Sequence, residues 1–275
     1  MQRGELGALR ADVINRARGA FAHIDEVAEI NTKKVLDAMR ACRVSDAHFS
    51  VSFGYAYSDL GREKLDELYA RVFGAERALV RTQFVSGTHA LAAVLFGILR
   101  PGDQLVSITG APYDTMQTVI GWAHESIGSL KEFGVDYDEL PMQDGHIDLA
   151  GIDRIVTART RVALVQRSRG YSTREPLTIE DIRTVSARIK AANPNCIVFV
   201  DNCYGEFVDV VEPTEIPAVD IMAGSLIKNP GGGLAPTGGY IAGRSDLVEM
   251  ASYRLTAPGM GDELGASLVS NRLLF

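Results

Sequence analysis

A chain of 275 residues, 46% hydrophobic and 23% charged, is long enough to bury a large core and balanced like an ordinary globular protein. Its net charge of −7 argues against nucleic acid or an anionic membrane as a partner, since either would call for a basic patch. No apolar run reaches the roughly 18 residues of a membrane span, and no signal-peptide core follows Met1. Cys42, Cys196 and Cys203 form neither a CxxC pair nor an even framework, so the expectation is a cytoplasmic protein without structural zinc.

The first element reads as a helix over residues 6–41. Val13, Ile14, Ala17, Phe21 and Ile24 recur at helical spacing, and Val27, Ile30, Val35, Leu36 and Met39 continue the pattern past a break near Asn31. An aromatic, glycine-marked stretch from His48 to Arg62 reads as a loop leading into a helix over 63–73. Residues 78–81 are a short strand, and Val85-Ser86-Gly87-Thr88-His89 turns into an apolar helix over 90–99. Small and hydroxyl residues at that turn leave amides open at a helix N-terminus, which suits a phosphate or, more simply, marks a cap.

Pro101-Gly102-Asp103 is a turn before a strand at 105–108, and Gly110-Ala111-Pro112-Tyr113-Asp114 opens a helix to Trp122. Tyr113 therefore sits just past a strand end, where its ring could lie on a cofactor or merely fill a turn. Residues 135–140 read as an edge strand, 147–156 as a short helix and 162–165 as a central strand with a polar, basic exit. Arg167 and Arg169 in that exit are either a clamp for a substrate carboxylate or solvated charges. A helix over 179–192 stops before Asn193-Pro194-Asn195.

Two apolar runs then end in charge. Ile197-Val198-Phe199-Val200 runs into Asp201-Asn202-Cys203-Tyr204, and Asp220-Ile221-Met222-Ala223 runs into Gly224-Ser225-Leu226-Ile227-Lys228-Asn229-Pro230-Gly231-Gly232-Gly233. Open α/β sheets bind ligands just beyond such strand ends. A lysine and an aspartate placed there suggest pyridoxal phosphate, the lysine holding the aldehyde as a Schiff base and the aspartate keeping the ring nitrogen protonated. The plainer alternative is an ion pair that caps a strand. After Gly239-Tyr240-Ile241-Ala242-Gly243 a helix begins near Ser245. Strands alternating with helices imply a mostly parallel sheet covered on both faces.

Other chemistries fit less well. The glycines follow Lys228, whereas a Walker loop places them before its lysine, and no GxGxxG follows the first strand. His23, His48, His89, His124 and His146 are scattered without metal-ligand spacing. His89 reads as a packed helix residue, and Cys203 as a small buried hydrophobe.

In order, Ser86-Gly87-Thr88, Tyr113, Asp201-x-x-Tyr204 and Ser225-x-x-Lys228 resemble the large domain of the fold type I pyridoxal-phosphate enzymes, the aspartate aminotransferase superfamily. The stretches Gly54-Tyr55-Ala56-Tyr57, Val85–Ala90, Val200–Phe207 and Gly224–Gly233 are similar, more closely, to the methionine gamma-lyase-like or aluminium-resistance family of Cys/Met metabolism. The likeness spans about residues 50–255. It implies an α/β three-layer sandwich divided into an N-terminal helical segment (1–50), a pyridoxal-phosphate-binding large domain (51–255) and the start of a truncated C-terminal segment (256–275). The small C-terminal domain, with its carboxylate-binding arginine, is expected to be missing.

The resemblance also implies site roles. Lys228 would carry the cofactor and move protons, Asp201 would meet the ring nitrogen, Tyr204 the ring hydroxyl, and Tyr113 would stack on the ring and share in catalysis. Ser86, Gly87, Thr88 and Ser225 would hold the phosphate. Tyr57 and Arg62 would reach a neighbouring subunit's site in a homodimer or homotetramer, with Arg169 a candidate for the substrate. The implied reaction is carbon–sulfur cleavage by β- or γ-elimination of methionine, cystathionine or cysteine. The alternatives are an aminotransferase, or a stress-response protein that keeps the fold without turnover.

Overall fold

The computed structural model describes residues 3–122, 126–267 and 269–275. Its strands are β1 (Arg77–Arg81), β2 (Gln104–Ser107), β3 (Asp136–Glu139), β4 (Thr160–Gln166), β5 (Ile197–Asp201), β6 (Ile221–Ser225) and β7 (Gly239–Gly243). They form one sheet in the order β1-β7-β6-β5-β4-β2-β3. The neighbours from β6 through β5, β4 and β2 to β3 pair in parallel, and β7 runs against both β6 and β1. The reversal follows from the connection: residues 226–238 carry no helix, so the chain cannot cross over and returns beside the strand it has just left.

Helices cover both faces. Alternation along β5 sends Ile197 and Phe199 to one side, with α3 (Gly87–Ile98), α4 (Asp114–Ile120) and α7 (Ser245–Leu255). Val198 and Val200 face the other, with α2 (Leu60–Val72), α5 (Leu149–Ile155) and α6 (Ile179–Ala192). The central strands are buried on both faces and read as unbroken apolar runs, whereas the edge strand β3 alternates exposed and half-buried residues. This is the expected three-layer α/β sandwich, with the elements in the expected order, but α2 and α3 each begin three residues earlier than expected, at Leu60 and Gly87, where Asp59 and Ser86 cap them. The fourth helix ends at Ile120 rather than Trp122. His124 falls outside the described residues.

The expected break in the first helix is absent. Helix α1 runs without interruption from Arg3 to Ala41, 39 residues and so about 58 Å long. Asn31 does not compete for the helix backbone because its side chain is engaged elsewhere. Its amide donates to the carbonyls of Phe207 and Asp209 at 3.1 and 3.0 Å. Only the C-terminal part of α1 joins the core, through Ala38 with Val35 and Met39 beside it. Leu9, Val13, Phe21 and Ile24 lie exposed, Phe21 at 53%. Among the described residues no helix is long and apolar enough to cross a membrane.

Residues 262–267 and 269–275 return to the start of α2 and the stretch before it. Arg62 donates to the carbonyls of Glu263 and Gly265, Ser267 bonds Ser52, and the Phe275 ring meets Phe49 edge-on at 5.4 Å.

Candidate active site

The last residues of β5 and β6 and the first turn of α3 meet at the C-terminal edge of the sheet. Strand alternation makes the assignment: Asp201 falls on the α3 side after Phe199, and Ser225 does so after Ala223. Ser86 caps α3, its hydroxyl accepting from the His89 amide at 3.2 Å. The amides of the helix's first turn are left without carbonyls of their own, at its positive end. The Ser225 hydroxyl is buried on the same side with no hydrogen-bond partner. Gly87 is needed for the approach, since a Cβ there would stand 3.0 Å from that of Ser225 and 3.2 Å from the Cys203 sulfur.

Around this cradle stand the charged groups. Asp201 is fully buried and accepts from the Cys203 amide at 3.1 Å. Burial pushes its carboxyl upward, while that amide and the positive Lys228 pull it back. Lys228 lies in the first turn after β6, its amide donating to Ser225 at 3.4 Å, and its amine sits 4.1 Å over the centre of the Tyr204 ring. Burial works to lower the pKa of that amine, but Cys203, Tyr204 and Asp201 outweigh it and raise it. Tyr113 precedes α4, its hydroxyl 2.9 Å from that of Thr88, and burial holds the phenol well above its usual range. Its amide donates to Gln166 at 3.1 Å.

The other face of the same edge carries a polar network that sequence reasoning missed. Asn202 points away from Asp201, its amide donating to Glu212 at 3.1 Å and its carbonyl accepting from Arg167 at 3.0 Å. Arg167 also donates to Gly205 at 2.7 Å and pairs with Asp209 at 3.1 Å, so it is neither a substrate clamp nor a solvated charge. The Tyr240 hydroxyl donates to Glu206 at 2.8 Å, and the Phe207 amide to Glu212 at 2.7 Å. Burial pushes Glu206 up to about 8 and Glu212 up to about 7. Gly224 makes the room, because a Cβ there would lie 2.5 Å from the Glu206 oxygen and 2.6 Å from the Tyr240 hydroxyl. Asn202, Glu206 and Glu212, following Asp201 in the chain, were the available signal; only the fold puts Arg167 and Tyr240 against them.

The remaining candidates are dispersed. Tyr57 is exposed, its ring beside that of Tyr55 at 6.2 Å. Arg62 is 4% exposed, and its guanidinium donates to the carbonyls of Ala56, Glu263 and Gly265 of its own chain, leaving no free face for a neighbour. Arg169 is exposed on the rim of a cleft of about 1320 Å³ that shares Tyr113 and Gln166 with the site but is not lined by Lys228, Asp201 or Ser225. The cleft therefore lies beside the strand-end residues, not over them. His89 is packed edge-on to Phe84 at 5.3 Å, and Cys203 is buried. Among the described residues no cluster of His, Cys, Asp and Glu could hold a metal ion.

A mostly parallel sheet whose neighbouring strands end in an aspartate and a lysine, faced by an open helix N-terminus, defines the large domain of a fold type I pyridoxal-phosphate enzyme. The donor set fits that cofactor: a buried serine hydroxyl without a partner, a glycine approach to a helix N-terminus for a phosphate, and a buried carboxylate for a ring nitrogen. The methionine gamma-lyase family model matches residues 7–275, and the chain belongs to that family. It is 50% identical over 92% of its length to the uncharacterised protein YnbB of Bacillus subtilis, of which it spans 60%. It is 52% identical over its full length to a Listeria innocua structure solved as a candidate cystathionine beta-lyase involved in aluminium resistance, with a TM-score of 0.96 and 67% of that chain covered. An L-methionine gamma-lyase of Pseudomonas putida is 29% identical over 78% of this chain and 48% of its own.

Proposed function

We propose that the chain is the cofactor-binding part of a pyridoxal-phosphate-dependent carbon–sulfur lyase acting on a sulfur amino acid such as methionine, cystathionine or cysteine. The observation that carries the reading is that Lys228 lies near enough to the buried Asp201 for its charge to pull that carboxyl down, with the buried, partnerless Ser225 hydroxyl on the same face of the sheet as Asp201. Membership of the methionine gamma-lyase family and the likeness to carbon–sulfur lyases support the choice of substrate class.

Pyridoxal phosphate, when bound, supplies an electron sink that makes the α-carbon of an amino acid acidic. The protein's part is to hold and to move protons. Ser225 and the amides of Gly87 and Thr88 bind the phosphate, and the hydroxyl that now lacks a partner gains one. Asp201 stays ionised opposite a protonated ring nitrogen, which offsets the cost of its burial. Lys228 anchors the cofactor and, as a free amine, takes the substrate's α-proton and returns a proton later in the cycle. Tyr113 would stand beside the cofactor and, through Thr88, ties α4 to the first turn of α3. Tyr204 and Ser86 complete the walls, while Arg169 on the cleft rim is the candidate for a substrate carboxylate.

We assign the working protein to a homo-oligomer, a dimer or tetramer, in the cytoplasm. Support comes from the exposed apolar row on α1, the exposed Tyr57 loop and the three unpaired buried thiols. Light scattering of the wild type against Phe21→Glu and Ile24→Glu together tests the assembly, with a loss of mass expected in the variant.

Incubation with pyridoxal phosphate, borohydride reduction and peptide mapping test the site, with the pyridoxyl group expected on Lys228. A folded protein labelled elsewhere would end the reading. Keto-acid release from methionine or cystathionine without an added keto acid separates elimination from amino-group transfer.

A further inference from the structure

We infer that Asn229 is a positioning residue: by donating its side-chain amide to the carbonyls of Tyr204 and Glu206, it holds the Lys228 amine against the Tyr204 ring, and the ring thereby sets how readily that amine gives up its proton. The inference rests on the reading of Lys228 as the reacting amine.

Lys228 belongs to the connection after β6 and Tyr204 to the connection after β5. Strand pairing alone fixes neither side chain relative to the other. The Asn229 amide reaches Tyr204 at 3.1 Å and Glu206 at 3.0 Å, bridging the two connections one residue away from the lysine. What it grips is a stiff platform. Tyr204 and Phe207 both lie in the left-handed region, with φ of 67° and 61°, a conformation that is strained for residues with side chains. That conformation persists because Arg167, Glu212 and the Tyr240–Glu206 pair hold the loop from behind, and Asn31 of α1 holds the Phe207 carbonyl.

The strained turn at Tyr204 has a use. The residue is 59% exposed, so its ring is not placed there to fill a core. An aromatic face stabilises an ammonium over a neutral amine, by about 0.5–1 kcal/mol at an exposed site. Cys203 and Asp201 also face the amine and favour its charged form, so Tyr204 adds to their effect, and Asn229 acts through Tyr204 without touching the amine.

The test is competitive acetylation of lysines in the full chain, freed of cofactor with hydroxylamine, at a fixed pH below the Lys228 midpoint, with the exposed Lys131 as internal reference. Tyr204→Leu is expected to raise Lys228 labelling relative to Lys131 by about two- to fivefold. Asn229→Ala should do the same, and the double variant should add nothing to either single change. Tyr204→Phe, which keeps the ring, should label as the wild type. Wild-type labelling in Asn229→Ala, additive effects in the double variant, or an equal rise at Lys131 would each overturn the inference. Its failure is distinguishable from failure of the proposed function, because acetylation reads a proton affinity without cofactor, whereas pyridoxyl mapping reads where the cofactor is held.

Discussion

The two faces of the sheet edge are built from the same strands and handle polar atoms in opposite ways. On the α3 side, Asp201, Ser225 and Lys228 make few contacts, and the Ser225 hydroxyl has none. On the α2 and α6 side, Asn202, Glu212, Arg167 and Tyr240 bond one another in a closed network. There one Glu206 oxygen and the Asn31 side-chain oxygen beside the loop lack partners, and the raised pKa of Glu206 leaves it a neutral acid below about pH 8, the less costly form to bury. An orphaned buried hydroxyl costs about 1–3 kcal/mol, so a fold that had only to be stable would not retain one. Under the proposed function the front face would hold the cofactor, and the rear network would keep the front in place.

The largest expected effect tests the front. Lys228→Ala should remove the borohydride-trapped pyridoxyl group and cut turnover by at least about 10²–10⁴-fold, with urea unfolding little changed. Arg167→Met should do the reverse. It severs Asn202, Gly205 and Asp209 from a common donor and should cost about 3 kcal/mol in urea unfolding. A loss of trapping in Arg167→Met at a temperature where it is fully folded would break the division between the faces.

Ser225→Ala sharpens the contrast at a single atom. Cofactor affinity, followed by fluorescence titration, should weaken about tenfold, while stability without cofactor should hold or rise because a partnerless buried hydroxyl is gone. The last effect is a slope. Glu206 is raised from 4.5 to about 8 in the folded chain, so below pH 4.5 both states are protonated and its contribution is fully present. As pH climbs from 4.5 toward 8 the unfolded chain releases this proton first, and stability falls. Urea midpoints measured across that window should decline less steeply in Glu206→Gln, whose carbonyl can still accept from Tyr240.

Periodicity made the layers legible before any coordinates. The α6 bounds, the edge position of β3 and the ends of β5 and β6 all follow from apolar spacing and from the residues that interrupt it. The direction of β7 was not legible, since Gly239-Tyr240-Ile241-Ala242-Gly243 is compatible with either sense. The positions of Asp201 at the end of β5 and Lys228 just past β6 were legible because each follows an apolar run. Arg167 and Arg169 show the limit: two residues apart at one strand exit, they are equivalent on paper. Yet Arg167 is buried behind the sheet and Arg169 is exposed at the cleft. Asn31 misled for a related reason. A helix-breaking tendency reflects competition for the local backbone, and here the side chain is engaged by carbonyls of a distant loop.

The return of β7 alongside β6 has a mechanical corollary. The pairing of Ser225 with Gly239 pins both ends of the segment bearing Lys228, as a hasp is fixed at its hinge. With Lys228 three links from Ser225, its Cα can wander no more than about 10–11 Å from that anchor, however the glycines beyond it bend. Any carbonyl compound that is to meet this nitrogen must therefore travel to the sheet, for the tether is too short to go out and fetch it.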